Sequence, residues 1–194
     1  QVGLLYQKDI HPDYHLKFGV SANNNSSINA KRSILSRTYE LNSSYIVFKD
    51  TFENDIQRGT LILPQEISSG VSIEYLNKLL FIVNYSNQNW SEYRLFDEVD
   101  SLQNSMRVSL GMEYVPERNS VDRYWDRVHY RMGASYYESY LQLRNHQIKE
   151  ISFSIGLGIP VKRSNTNYNI AIEIGERGTT EENLIKERFF RFNS

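Results

Sequence analysis

Cysteine is absent from the 194-residue chain, which excludes a disulfide scaffold, a thiolate metal centre and a cysteine nucleophile. An excess of charge of either sign is also missing. A net charge of −1 gives no electrostatic footprint for nucleic acid, so no nucleic-acid partner is expected. No run of 18 apolar residues occurs, so no transmembrane helix is encoded. Helical periodicity is not competitive at any position, and no signal peptide is visible. The chain begins within a strand-like stretch, as is expected of a mature or partial chain.

What is present is aromatic and alternating. Tyrosine occurs 14 times, within 13% aromatic and 40% hydrophobic content. The mean hydropathy of −0.54 has the value of a soluble protein, yet half-apolar strands joined by long polar loops also produce it. In Ile151–Pro160, Ile151, Phe153, Ile155, Leu157 and Ile159 alternate with Ser152, Ser154, Gly156 and Gly158, the period of a half-buried strand. The same pattern recurs in Tyr14–Ala22, in Gly70–Tyr75, in Leu79–Ser86, in Ser105–Tyr114, in Val128–Tyr137 and in Tyr168–Gly175. Gln1–Gln7 and Lys186–Asn193 are weaker examples. Together they predict about nine strands of about ten residues, the length of a tilted membrane-crossing strand.

The connections sort into two sets. Asp9–Asp13, Leu76–Lys78, Val115–Asp126 and Val161–Thr166 are mostly short; Asn24–Glu66, Gln88–Leu102, Glu138–Lys149 and Glu176–Asn183 are longer. Short turns on one side and long loops on the other are the habit of outer-membrane barrels. The stretch 24–66 is then a long external loop, holding strand extensions or a hairpin above the membrane.

The polar rows decide which face is inside. They carry Lys17, Glu74, Arg107, Glu113, Arg131 and Glu173, interleaved with glycine and serine. An exposed face of a soluble sandwich would carry such charges too. Glycine weakens an exposed strand, however, while small residues suit a crowded inner wall. Tyr14, Tyr75, Tyr85, Tyr114, Tyr136 and Tyr168 stand near the ends of the apolar rows, where aromatic girdles belong. The expectation is an all-β, antiparallel transmembrane barrel in the bacterial outer membrane, a single domain over residues 1–194. Phe153, Ile155, Leu157, Ile170 and Ile172 face lipid in this reading, and the six charged residues face the lumen.

The C-terminal third carries a resemblance. Gly156–Asn169, then Glu173–Thr179, then Leu184–Phe189 resemble a signature of the long-chain fatty-acid-transporter-like outer-membrane barrels of Bacteroidetes-type envelopes. Leu63-Pro64 followed by Gly70–Tyr75, and Asn29–Arg32 after a strand, fit the same family. The resemblance implies about fourteen strands with a hatch inside the lumen, so the chain is expected to be the C-terminal part of such a barrel. It stops before the terminal aromatic residue on which these barrels usually end. The implied activity is transport of hydrophobic small molecules across the outer membrane, with outer-membrane lipid as surroundings. One type of member closes a larger secretion barrel, the type IX translocon, as a plug, and this is the alternative role.

Candidate chemistry is sparse. His11-Pro-Asp-Tyr-His15 groups two imidazoles with a carboxylate, as a divalent metal would need, but Pro12 and Asp13 read better as a hairpin corner. His129 and His146 have no ligand spacing to them. No G-x-S-x-G nucleophile motif occurs, and Glu173-Ile-Gly-Glu-Arg-Gly178 lacks the lysine of a phosphate loop. No catalytic residue, metal or cofactor is assigned, and no enzyme is expected. The asparagine clusters Asn23–Asn25 and Asn42–Ser44 read as turns.

Overall fold

A computed structural model describes the chain apart from residues 43–44, 97, 100–101 and 162–165. Ser43 and Ser44 of the second asparagine cluster, and residues 162–165 of the C-terminal signature, therefore lie outside the described residues. Nine strands make one sheet in the order β1 (Val2–His11), β2 (Tyr14–Asn23), β5 (Glu66–Tyr75), β6 (Leu79–Gln88), β9 (Ser105–Tyr114), β10 (His129–Leu143), β11 (His146–Pro160), β12 (Asn167–Gly178) and β13 (Lys186–Asn193). Every neighbouring pair is antiparallel. A second sheet joins β3 (Ser26–Asn42), β4 (Tyr45–Leu63), β7 (Arg94–Leu95) and β8 (Glu98–Val99). Among the described residues there is no α-helix, only three short 3-10 turns.

The nine strands are those that the period-two pattern marks, and the turns follow local chemistry. Between β5 and β6, Leu76 and Asn77 adopt φ of 51° and 54°. Between β10 and β11, Arg144 and Asn145 adopt φ of 47° and 65°, the double left-handed turn whose twist matches that of its strands. This hairpin corrects one expectation. Glu138–Lys149 is not a long connection, because β10 continues to Leu143 and β11 begins at His146 after an irregularity between Glu138 and Gln142.

The stretch 24–66 is a hairpin of 17 and 19 residues, roughly 60 Å long at about 3.3 Å per residue. Its base is clamped from the 89–104 connection. Phe96, with φ of 54°, lays its ring where a β-carbon at Gly59 would sit, and the Arg32 guanidinium lies 5.2 Å from the ring centre. Only glycine leaves that space, and the left-handed backbone at Phe96 is the cost of the fit. Above β10, Trp90 stacks on Tyr140 at 4.4 Å and Gln103 donates to Gln142 at 3.0 Å. The connection between β6 and β9 is thus tied to the extended end of β10.

Among the described residues, neither sheet packs face to face on another layer. Among the described residues the fully buried apolar side chains are Val115 and Val128, at the two ends of the β9–β10 connection. The accessible surface is 14218 Å² for 22.8 kDa, whereas a compact monomer of that mass exposes roughly 9,600 Å². The apolar side chains standing off the nine-stranded sheet contribute to this excess, as does the long hairpin.

Candidate functional site

The register sorts every side chain of the large sheet to one of two faces. On one face, Tyr6, Phe18, Val71, Val83, Leu110, Ala134, Phe153, Ile174 and Phe190 align across all nine strands. One step along, Leu16, Ile73, Phe81, Met112, Met132, Ile155, Ile172 and Phe192 align across the other eight strands, and Lys8 of β1 stands at the end of this rung. Phe153 is 56% exposed, Ile155 63% and Ile172 38%; Leu157 and Ile170 share that face and are half-buried. Tyr14, Tyr75, Tyr114 and Tyr130 fall on one rung at the short-turn end, with the first two rings 4.6 Å apart. A tyrosine row closing an uncovered apolar belt is the geometry of a membrane interface.

The opposite face is polar and crowded. Ser105 and Ser152 are buried on it, and Lys17, Glu74, Arg107, Glu113, Arg131 and Glu173 all point to it by register. Glu113 is the hub. It accepts from Arg131 Nε at 2.7 Å and lies 3.1 Å from His129 Nδ1 and 3.7 Å from Arg118. Arg118 also lies 3.9 Å from Glu74. Arg131 donates from its other arm to Asn169 at 2.7 Å. Gly158 leaves room for this, since a β-carbon there would come within 3.3 Å of the Arg131 guanidinium and 3.1 Å of the Asn169 amide oxygen. A second cluster joins Arg191 to Glu173 at 3.3 Å and to Glu150 at 3.9 Å, with Arg177 3.9 Å from Glu150. The first cluster cross-ties β5, β9, β10 and β12 and the β9–β10 connection, passing over Gly158 of β11, and the second ties β11 to β13.

Two expected members stand apart. Lys17 and Arg107 have no carboxylate partner among the described residues; Arg107 instead lies 4.3 Å over the Tyr137 ring. Both line a groove of about 650 Å³ with Ser21, Ser72, Asn84 and Ser109. The face is also less uniformly polar than the sequence reading has it, because Leu5, Leu80, Ile82 and Phe189 share its register. Arg118 escapes sequence reasoning altogether, since a residue in a connection has no period to betray its direction. Glu150 and Arg177 were accessible by extending the alternation one step beyond each apolar run. The two histidines of the first hairpin hold separate partners, His15 with Asp9 at 2.6 Å and His11 with Asp13 at 3.4 Å.

Fold and faces together define an all-antiparallel β protein with an uncovered apolar face and an ion-paired polar one. The family model described as BamG matches residues 1–194. The chain belongs to the BamG family, a Bacteroidetes outer-membrane component. No curated protein matches the chain. The Bacteroidetes and outer-membrane parts of the sequence resemblance agree with this family, while the fatty-acid-transporter and type IX parts are not carried by it.

Proposed function

We propose that the chain forms the wall of an outer-membrane β-barrel of about fourteen strands and serves as an accessory subunit of a larger outer-membrane machine. The supporting observation is the pairing of an uncovered nine-strand apolar face with a polar face on which most of the charges are locked to one another. In water, apolar rows of this extent would be covered by a second layer or by a partner. In lipid they need no cover. The family supports an outer-membrane setting.

The polar face favours the accessory role over uptake of hydrophobic molecules. A greasy ligand needs a mostly apolar pocket with a few placed polar groups. The surface of the groove is largely apolar, but the groove lies open along the sheet with Lys17 and Arg107 in it and does not enclose a ligand as such a pocket does. The Glu113 and Glu150 clusters brace strands against one another, which serves a rigid wall that partners bind from outside. No catalytic constellation, cofactor or nucleic-acid surface enters this reading. The plug of a secretion barrel is one form of such a role.

A deletion strain separates the readings. Altered outer-membrane protein content or a leaky permeability barrier, with uptake of hydrophobic substrates intact, is the expected phenotype. Lost uptake of a long-chain fatty acid with normal outer-membrane protein content would overturn the proposal in favour of a transporter.

A further inference from the structure

Counting directions around the large sheet gives a constraint that no single strand carries. Eight consecutive antiparallel pairings lead from β1 to β13, so these two outer strands run the same way. Each is open on its far side. All ten residues of β1 are exposed, as are seven of the eight of β13. Both keep the alternation, with Val2, Leu4 and Tyr6 on the apolar face of one and Phe190 and Phe192 on that of the other.

Resting on the membrane reading above, we infer that the sheet closes through an odd number of additional antiparallel, alternately apolar β-strands inserted between β13 and β1. Unpaired backbone amides and carbonyls are not tolerated against lipid, so both edges must be paired. Direct closure of β1 on β13 would make a parallel seam in an otherwise antiparallel wall. Two copies of the nine-stranded sheet do no better. A two-fold axis along the barrel places β1 against the other copy's β13, again in parallel. An axis in the membrane plane makes both seams antiparallel but puts long connections on both sides of the bilayer. An odd insertion satisfies both edges, keeps the long connections on one side, and gives the even strand total usual for bacterial barrels. The closing strands come from this polypeptide or from a partner subunit, and their chemistry is the same in either case.

The absence of cysteine makes the test clean. Full-length protein in native outer membranes would carry Leu4→Cys or Tyr6→Cys combined with Phe190→Cys or Phe192→Cys, and separately a benzophenone amino acid at Val2, Leu4, Tyr6 or Phe190. The expected result is no disulfide in any of the four combinations. Benzophenone capture is expected on an alternately apolar peptide, with Val2, Leu4 and Tyr6 reaching successively earlier residues of it. Unchanged protein mass after capture assigns the strands to this polypeptide, and added mass assigns them to a partner; either supports the inference. A disulfide between β1 and β13, or capture in forward order, would overturn it. A polarity-sensitive dye at Ile155→Cys and at Ser154→Cys reads the membrane placement independently. Lipid at Ile155 together with a β1–β13 disulfide would remove the closure and leave the membrane reading standing.

Discussion

Arginine at Ile155 separates a membrane wall from any soluble sheet, because the two predict costs of different size. Ile155 is 63% exposed and sits between Met132 on β10 and Ile172 on β12. In water such a position tolerates arginine within about 0.5 kcal/mol, as surface substitutions generally do. In a bilayer the position is deep. Ile155 lies two residues from Leu157, which pairs with Tyr130 of the tyrosine rung, and four from Ile151, which pairs with Tyr136. At about 3.3 Å per residue these are roughly 7 and 13 Å along the strand, between the two aromatic levels. Arginine near the midplane of a barrel costs about 2–4 kcal/mol, falling to about 0–1 near the interface. Ile155→Arg should therefore lower the folded-to-unfolded ratio roughly 30- to 700-fold at about 1.4 kcal/mol per tenfold, and Ile151→Arg only a few-fold. Ser154→Arg points to the other face, opposite Glu173, and should cost under about 1 kcal/mol because a charge partner is at hand. Urea titration of the full protein folded into lipid vesicles, followed by tryptophan emission, measures all three. Ile155→Arg and Ser154→Arg within 0.5 kcal/mol of each other would refute the assignment of faces.

Glu113→Gln removes the charge that holds Arg131, His129 and Arg118; a loss of about 1–3 kcal/mol is expected, with faster tryptic cleavage at Arg118 and Arg123, and an unchanged cleavage rate would count against the hub. Sidedness follows from the turns: Asn145→Cys should react with a membrane-impermeant maleimide on intact cells, whereas Asn77→Cys should react only after the outer membrane is opened, and the reverse result would invert the orientation. Phe96→Ala should free the base of the long hairpin, seen as faster amide exchange in β3 and β4 with β9–β12 unchanged; equal exchange would mean that the ring over Gly59 is not the clamp.

How much the sequence discloses depends on which physical rule writes the information. A strand alternates its side chains whatever it pairs with, so Ile151–Pro160 announces its two faces from composition, and all nine strands of the large sheet are visible in this way. The six charged residues fall on one face for the same reason. The alternation fails where the chain serves other constraints. Lys31-Arg32-Ser33-Ile34-Leu35 puts two charges and then two aliphatics in succession, so β3 reads only as a strand-like piece of the external stretch, a strand extension or a hairpin arm, and its full length of 17 residues is not legible. The irregularity between Glu138 and Gln142 breaks the pattern of β10 and hides its continuation to Leu143. Arg118 shows the same limit from outside a strand. Its reach to Glu74 and Glu113 depends on how the β9–β10 connection folds back between the buried Val115 and Val128, and no residue spacing encodes that path.

Strand edges are a harder case than strand faces, and they bear most directly on function. Tyr6 and Phe18 have the same in-out signature, yet Phe18 is flanked by Tyr6 and Val71 whereas Tyr6 has a neighbour on one side only. Period-two chemistry states what lies above and below a strand and is silent about what lies beside it, because backbone hydrogen bonds are the same for every residue but proline. Lateral identity emerges only from the pairing map, as a parity. If nine strands run antiparallel and the first and last point the same way, every all-antiparallel closure in a bilayer adds an odd number. On the proposed membrane reading, an accessory wall subunit of a larger machine is bound by that parity in the same way as a barrel complete in one polypeptide, and the count of strands inserted between β13 and β1, rather than the chemistry of either face, would tie such a wall to its surroundings.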